Sequence, residues 1–458
     1  MIVIKFGGTS VGDAEAIERA AQIVAGRSDR KPIVVVSALG GATNALLSIA
    51  EQASKGHLIG ALRGIEALRE RHMQECETLL GSSPASTEVA AELSVMFDEL
   101  ASLAEALGTL GHATPRSMDA IAAYGELMSS ILVTEAFKLR GINAQHMDAR
   151  KVVITDERFM QAEPRQEMIA DRARDLVLPL VREGKIPVMG GFIGSTAAGI
   201  TTTLGRGGSD YSASLIGAAL GADAIEIWTD VDGMLTADPR VVTGAQLIEQ
   251  IRFDEASELA SFGAKVLHPN TITPAVRLGI PVFIYNSRNP TGKGTRITFD
   301  APRRPVSAIA GKSDITVVKV RAPRMLFAHG FLRTVFEIFD RHKTSVDVVS
   351  TSEVSVSVTI DDTDQLDALA IDLRALGDVS VERNRGVIAI VGSGIGDRGD
   401  AMGRALQALG GIRVHMMSLS ATGINLTIIV DGMRVNEAMR LLHEEFFGSN
   451  ATPMFEVA

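Results

Sequence analysis

Apolar and polar positions follow one rhythm up to about residue 290 of this chain and another beyond it. In the first part, short apolar runs recur at Ile2–Phe6, Ile33–Ser37, Ile186–Gly190, Ala224–Asp230 and Pro281–Tyr285. A run without a polar face predicts a strand covered on both sides, as in a parallel sheet between two layers of helices. Between these runs apolar residues return every three to four positions, which predicts helices over 13–25, 44–55, 164–183 and 210–220. Residues 58–140 carry the helical period almost throughout and predict a cap or subdomain beside the sheet. The architecture is α/β, three-layer αβα with a mostly parallel sheet.

Beyond residue 290 the pattern changes. Residues 291–313 are rich in Pro, Gly, Arg and Lys and read as a connection. Strand, helix, strand and strand then follow at Ile315–Val320, Phe331–His342, Ser345–Ser350 and Val354–Ile360, and the order recurs from Val387 to Asp431. A shift of seventy positions lays Ser350 on Ser420, Val354 on Ile424, Val356 on Leu426 and Asp361 on Asp431. Each unit continues into a helix, over 363–376 and 435–446. The expected organisation is a catalytic part at 1–290, a linker at 291–313, and two α+β modules (βαββαβ) at 314–384 and 385–458.

Composition narrows the function classes. With 458 residues and 46% apolar side chains, two or three packed domains are expected. A net charge of −10 argues against nucleic acid as the main partner. No apolar stretch is expected to reach membrane-spanning length. Met1 opens directly into a strand rather than a basic and apolar leader, so the expected location is cytoplasmic. Cys76 is the only cysteine and the nine histidines lack metal-ligand spacing, so neither disulfides nor a dedicated metal site are expected.

The chemistry starts at Lys5-Phe6-Gly7-Gly8-Thr9-Ser10, where a strand runs through two glycines into a helix. Such a turn can cradle phosphate on backbone N–H groups and a helix dipole. Gly7 and Gly12 are spaced like the glycines of a Walker A loop, but Asp13 stands where the lysine belongs, and Lys5 precedes the glycines instead. Alone, the turn is read equally well as a tight connection. A second glycine-rich helix start lies at Thr201–Asp210, where Arg206 suits a carboxylate or phosphate and Asp210 either caps the helix or acts in the site. Trp228-Thr229-Asp230 ends a strand, the position where α/β sheets place ligands. Asp238-Pro239-Arg240 follows, and Phe262–Pro269 adds Lys265 as a phosphate contact with His268 shaping a turn. Glycines 394, 396 and 399 fit a dinucleotide fingerprint, but the unit around them is too short and lacks the acidic residue that contacts ribose. They read as a loop of a small ligand-sensing module. Lysines, glycine-loop amides and an acidic residue are the parts phosphoryl transfer needs.

These motifs, with Gly125-Glu126-Leu127, resemble the aspartokinases, and the paired modules resemble the ACT domains that follow the amino acid kinase fold in that family. The resemblance implies ATP-dependent phosphorylation of the L-aspartate β-carboxylate to 4-phospho-L-aspartate, with Mg²⁺ held mainly by the nucleotide. It implies catalytic roles for Lys5 and Asp210. Thr43, Glu126, Arg206 and Ser209 would bind aspartate, Glu126 meeting the ammonium and Arg206 the α-carboxylate. Lys5, Phe6, Gly7, Gly8, Thr229, Asp230, Leu235, Arg240, Lys265 and Val266 would bind ATP; Leu235 stands where some relatives have a tyrosine. The ACT resemblance implies feedback inhibition, with an effector pocket at Met325, Ala328, Phe331, Leu332, Val346, Asp347, Ser352 and Glu353. Phe327 favours L-lysine over L-threonine as effector. A homodimer or homotetramer through the ACT modules is implied, with Val346–Ser350 and Val354–Ile360 as the exposed strands.

Overall fold

Ile2–Phe6 forms β1, buried along its whole length between two parallel neighbours, β2 (Pro32–Val36) and β6 (Ala224–Thr229). Its apolar run is unbroken, Lys5 apart, because helices cover both faces. A computed structural model describes residues 1–263, 269–325, 329–396 and 400–448. Within these the chain divides into two compact units, 1–234 with 266–299, and 235–265 with 300–458.

In the first unit the helices α1 (Ala14–Ala25), α2 (Ala42–Ser54), α3 (Leu58–Leu80), α4 (Pro84–Leu110), α5 (Pro115–Ala122) and α6 (Tyr124–Leu139) precede β3 (Ala144–His146), β4 (Ile186–Gly190) and β5 (Thr201–Thr203). Then come α7 (Gly208–Leu220), β6, β7 (Val282–Asn286) and β8 (Thr295–Ile297). Seven strands of this unit are ordered β3-β4-β2-β1-β6-β7-β8, and only the β7–β8 pair is antiparallel. All five predicted strands fall within one residue of their observed bounds. Asp13 caps α1, its carboxylate accepting the Ala16 N–H at 2.8 Å.

The helices over 58–140 are not a separate subdomain. Leu68 of α3 and Phe97 of α4 belong to one apolar cluster with Ile4, Val34 and Trp228 of the sheet. One expectation is corrected here. Residues Pro115–Leu139 are long and apolar enough to cross a membrane by composition, but 83% of the apolar 18-residue window within them is buried inside the protein. Its apolar character is that of a core helix pair.

In the second unit a six-stranded sheet carries the duplication. The elements are β9 (Ala308–Arg321), α8 (Phe331–Arg341), β10 (Val349–Thr351), β11 (Ser355–Ile360), α9 (Leu366–Arg374), β12 (Asp378–Val391), α10 (Asp400–Leu409), β13 (Met416–Leu419), β14 (Asn425–Asp431) and α11 (Val435–Phe447). Strand order is β10-β11-β9-β12-β14-β13. The long strands β9 and β12 start and end seventy positions apart, and they pair antiparallel with Ala308 opposite Val391 and Arg321 opposite Asp378. A pseudo-twofold axis therefore passes between them. The register breaks between Lys312 and Ile315, where the strand passes from one module to the other. Each module packs its helices on its own core, Val335 and Leu369 in the first, Ala405 and Leu442 in the second.

Two sequence expectations change. Residues 308–312, read as part of the linker, are the first half of β9 and lie opposite 387–391 of the second module. Val354–Ile360 is not an exposed strand, because β11 is hydrogen-bonded on one side to β10 and on the other to β9. The free edges are β10 and β13. The strand expected at 345–350 shortens to Val349–Thr351, since the Thr359 hydroxyl takes the Val348 N–H at 3.0 Å in place of a ladder carbonyl. Gly394 and Gly396 lie in the turn after β12; Gly399 is outside the described residues.

Candidate active site

A cavity of about 590 Å³ opens in the first unit where β1 and β2 end and α2 and α7 begin. The Gly7 N–H donates to the Trp228 carbonyl at 3.0 Å, and the Ser10 hydroxyl reaches the same oxygen at 3.2 Å. These bonds fold the glycine turn against the end of β6. Gly8 lies tight against the turn after β2: a Cβ there would sit 3.2 Å from the Ala38 carbonyl oxygen. A side chain at residue 8 would push the two turns apart.

The floor of this cavity suits an anion. Helices α2 and α7 start at Gly41 (φ +82°) and Gly207 (φ +69°), and neither N-terminus has a side-chain cap. Both caps line the cavity. The Ala42 N–H donates to the Leu39 carbonyl and the Gly208 N–H to the Gly205 carbonyl, which leaves the rest of each first turn and the positive dipole ends for a ligand. Lys5, only 8% exposed, adds a full charge, and its Nζ lies 2.7 Å from Asp210 Oδ1 in the first turn of α7. That pair fixes the lysine head beside Gly7, whose added Cβ would be 3.5 Å from Nζ.

Glu126 supplies the opposite feature. It sits in the first turn of α6, 3% exposed, and Oε1 accepts the Ala38 N–H at 3.2 Å. Oε2 has no hydrogen-bond partner among the described residues. Burial pushes the carboxyl up to about 8, against the smaller pull of the Ala38 N–H. A buried carboxylate with an open lone-pair face is costly unless a cation arrives. Arg206 lies on the same cavity, exposed and without an ion-pair partner among the described residues. Thr43 and Ser209 complete the wall, so every residue expected to bind the acceptor lines this one cavity.

The residues expected to bind nucleotide are more dispersed. The Phe6 ring is sealed in the core, which leaves only its backbone to a ligand. Thr229 is half-buried at the end of β6, next to exposed Asp230, and their side chains are 3.3 Å apart. Leu235 and Arg240 belong to the second unit. The exposed Arg240 guanidinium is paired with Asp238 at 2.6 Å, which holds its pKa above the usual value. Lys265, Val266 and His268 lie outside the described residues.

In the first module Met325, Phe331 and Val346 pack on the Val335–Leu369 core, while Leu332 is 39% exposed. Asp347 is exposed on one side. Partial burial and the Asp361 carboxylate push it up to about 6, against the pull of Lys312, which is ion-paired to Asp361. Ser352 is hydrogen-bonded to Ser355 at 2.8 Å, and Glu353 is exposed. Phe327 and Ala328 lie outside the described residues.

Sequence reasoning missed several groups on the cavity. The turn Ser37-Ala38-Leu39-Gly40-Gly41 follows an apolar strand just as the first glycine turn does, and that repetition was a usable signal. Met160 (φ +72°) and Phe192 (φ +63°) also line the cavity, both with left-handed backbone. Nothing in their local sequence marks that conformation.

A mostly parallel sheet whose glycine turn, helix N-termini and buried lysine form an anion-binding floor defines a small-molecule phosphotransferase of the amino acid kinase fold. Residues 1–286 match the amino acid kinase family, and residues 388–446 match the ACT domain. Lysine-sensitive aspartokinase 3 of Escherichia coli (strain K12) is 38% identical over 98% of this chain and 99% of its own length. Chloroplastic aspartokinase 3 of Arabidopsis thaliana is 35% identical over 97% of this chain and 81% of its own. The crystal structure of E. coli aspartokinase III with aspartate and ADP (R-state) superposes with a TM-score of 0.85, at 38% identity over 97% of this chain and 99% of that one. The complex with lysine and aspartate (T-state) gives 0.81, at 38% identity over 98% and 99%. The chain belongs to the aspartokinases.

Proposed function

We infer that this chain transfers the terminal phosphoryl group of ATP to the β-carboxylate of L-aspartate, giving 4-phospho-L-aspartate and ADP, under feedback control by L-lysine. The observation that carries the reading is the unpaired, buried Glu126 carboxylate sharing one cavity with Arg206 and the Lys5–Asp210 pair. An amino acid with an acidic side chain needs an anion for its ammonium, a cation for its α-carboxylate, and its side-chain carboxylate left free to react.

The acceptor is already anionic near neutral pH, so no general base is required. A β-carboxylate oxygen forms the new O–P bond while the bond from the γ-phosphorus to the bridging oxygen breaks, and ADP leaves with the electron pair. Charge on the transferring group meets Lys5, the turn of Gly7 and Gly8 with its Gly8 N–H, and the positive ends of α2 and α7; the Gly7 N–H itself is held by the Trp228 carbonyl. Asp210 keeps Lys5 on the floor rather than in solvent. Mg²⁺, held mainly by the nucleotide's phosphate oxygens, would neutralise part of the charge on the transferring group. Among the described residues no three carboxylate, imidazole or thiol groups cluster to hold a metal by themselves. Thr229, Asp230, Leu235, Arg240, Lys265 and Val266 are assigned to the nucleotide, and Thr43 and Ser209 to aspartate.

The catalytic part is residues 1–290. The effector is assigned to the module at 314–384, its ammonium to Asp347 and its carboxylate to the loop amides near Gly330. The E. coli relative crystallised with lysine, and the 38% identity over nearly the whole chain, support lysine as the effector. The free edges β10 and β13 offer backbone groups for pairing of ACT modules between subunits, as a dimer or tetramer in the cytoplasm.

The test is ATP turnover with L-aspartate, trapping the acyl phosphate as a hydroxamate, with lysine or threonine added. Aspartate-dependent hydroxamate suppressed by lysine is expected. Suppression by threonine alone would move the effector assignment, and no aspartate-dependent hydroxamate would overturn the reaction.

A further inference from the structure

Asp119 is wholly buried in α5, and neither the catalytic floor nor the acceptor contacts use it. Its carboxylate accepts four close hydrogen-bond contacts from three donors. The Thr203 hydroxyl reaches Oδ1 at 2.6 Å and the Thr203 N–H reaches Oδ2 at 3.0 Å. The Met160 N–H is shared between both oxygens at 3.1 and 3.0 Å. None of these donors is a cation, so a buried negative charge is held by dipoles alone. Such an arrangement is stable only while all donors stay in place, which makes it a rigid joint.

What it joins matters. Asp119 lies seven positions before Glu126, on the helix pair that carries Glu126 into the cavity. Thr203 is three positions before Arg206, at the end of β5. Met160 is part of the wall between the acceptor cavity and a neighbouring one of about 410 Å³, and with Asn44 and Leu47 it lines both. Its φ of +72° is unfavourable for a residue with a side chain and persists only under external restraint. The shared N–H bond to Asp119 is that restraint.

We propose that Asp119 is a positioning residue that sets the separation between Glu126 and Arg206 and holds Met160 in the wall of the acceptor site. The proposal rests on the aspartate kinase reading above. An acceptor bound at both ends is sensitive to that separation, whereas the nucleotide is assigned to Lys5, the glycine turn and residues from Thr229 onward, none of which, among the described residues, hydrogen-bonds to Asp119.

Asp119→Asn keeps the shape but turns an amide N–H toward the donors. Its KM for L-aspartate is expected to rise at least tenfold while the KM for ATP stays within twofold. Thr203→Val removes one donor and should raise the aspartate KM about threefold. The double variant should be no worse than Asp119→Asn alone, because both changes break one joint. An aspartate KM within twofold of wild type in folded Asp119→Asn, or an ATP KM that rises in step, would overturn the proposal. If Asp119→Asn does not fold, the same two outcomes are read from Thr203→Val. Wild-type protein without aspartate turnover would instead defeat the functional reading, so the two failures are distinguishable.

Discussion

Glu126 and Asp347 are both assigned to an amino acid's ammonium, yet they sit in opposite surroundings. Glu126 is sealed in the cavity, has one oxygen unpaired, and is pushed up to about 8. Asp347 stands at the surface beside Asp361 and Lys312 and reaches only about 6. The difference follows from the two tasks. A substrate receptor must be dry and rigid so that the side-chain carboxylate is aimed. A sensor must exchange its ligand with water, and a nearby lysine that already occupies Asp361 lowers what the effector has to displace. Near neutral pH the first group holds its proton until the ligand comes, and the second is already charged.

That comparison can be broken in order of effect. Lys5→Ala should lower kcat by more than a thousandfold, since it removes the buried lysine charge from the phosphate floor. Lysine binding, measured by calorimetry, should be unchanged; loss of both would show that the regions are not separable. Glu126→Gln should raise the aspartate KM by about ten- to a hundredfold, the loss of a charge-assisted bond of about 1.5–3 kcal/mol. Asp347→Ala should abolish lysine inhibition with the uninhibited rate retained. A variant still inhibited by lysine would move the effector's ammonium elsewhere.

The two carboxylates also titrate in separate windows. Aspartate affinity should rise by up to about tenfold per pH unit toward pH 8 and level off above it, because ammonium binding must expel the Glu126 proton. Lysine inhibition should be flat over that range and weaken only below about pH 6, as Asp347 takes up its proton. Stability carries the opposite sign at Glu126. The unfolded chain ionises near 4.5 while the folded group keeps its proton to about 8. Folding stability of the empty protein therefore falls across that interval and is constant above it. Glu126→Gln should raise the melting temperature at pH 8 by a few degrees.

The smallest effect is expected in the second module. The seventy-position shift places Met417 where the first module has Asp347, and Gly423 where it has Glu353. Asp431, the counterpart of Asp361, is paired with Arg385 and lies 2.9 Å from His415 Nε2. Among the described residues at these counterpart positions, no unpaired carboxylate is left for an ammonium. Met417→Ala should leave lysine inhibition within twofold, and a larger change would show that both modules bind effector.

Much of this was legible in the sequence because it is local. The strand-to-glycine turn at Lys5–Ser10 and the helix start at Asp210 are written in consecutive residues, and the structure brings them together in one cavity. The duplication was legible because both copies keep one register. Asp119 was not, since its partners are 41 and 84 positions away and its own helix turn looks ordinary. The left-handed Met160 and Phe192 were equally silent, because long-range bonds and packing impose that backbone. The linker was misjudged at 308–312, where a short apolar run directly after a Pro- and Arg-rich stretch forms a strand by pairing with 387–391.

The most direct test of the central claim is titration of L-aspartate into the protein by calorimetry at pH 7, in two buffers of different ionisation enthalpy. With Glu126 at about 8, roughly 0.9 proton should be released per aspartate bound, and the release should vanish in Glu126→Gln. Binding without proton release, or the same release in the variant, would contradict the assignment of Glu126 to the substrate's ammonium.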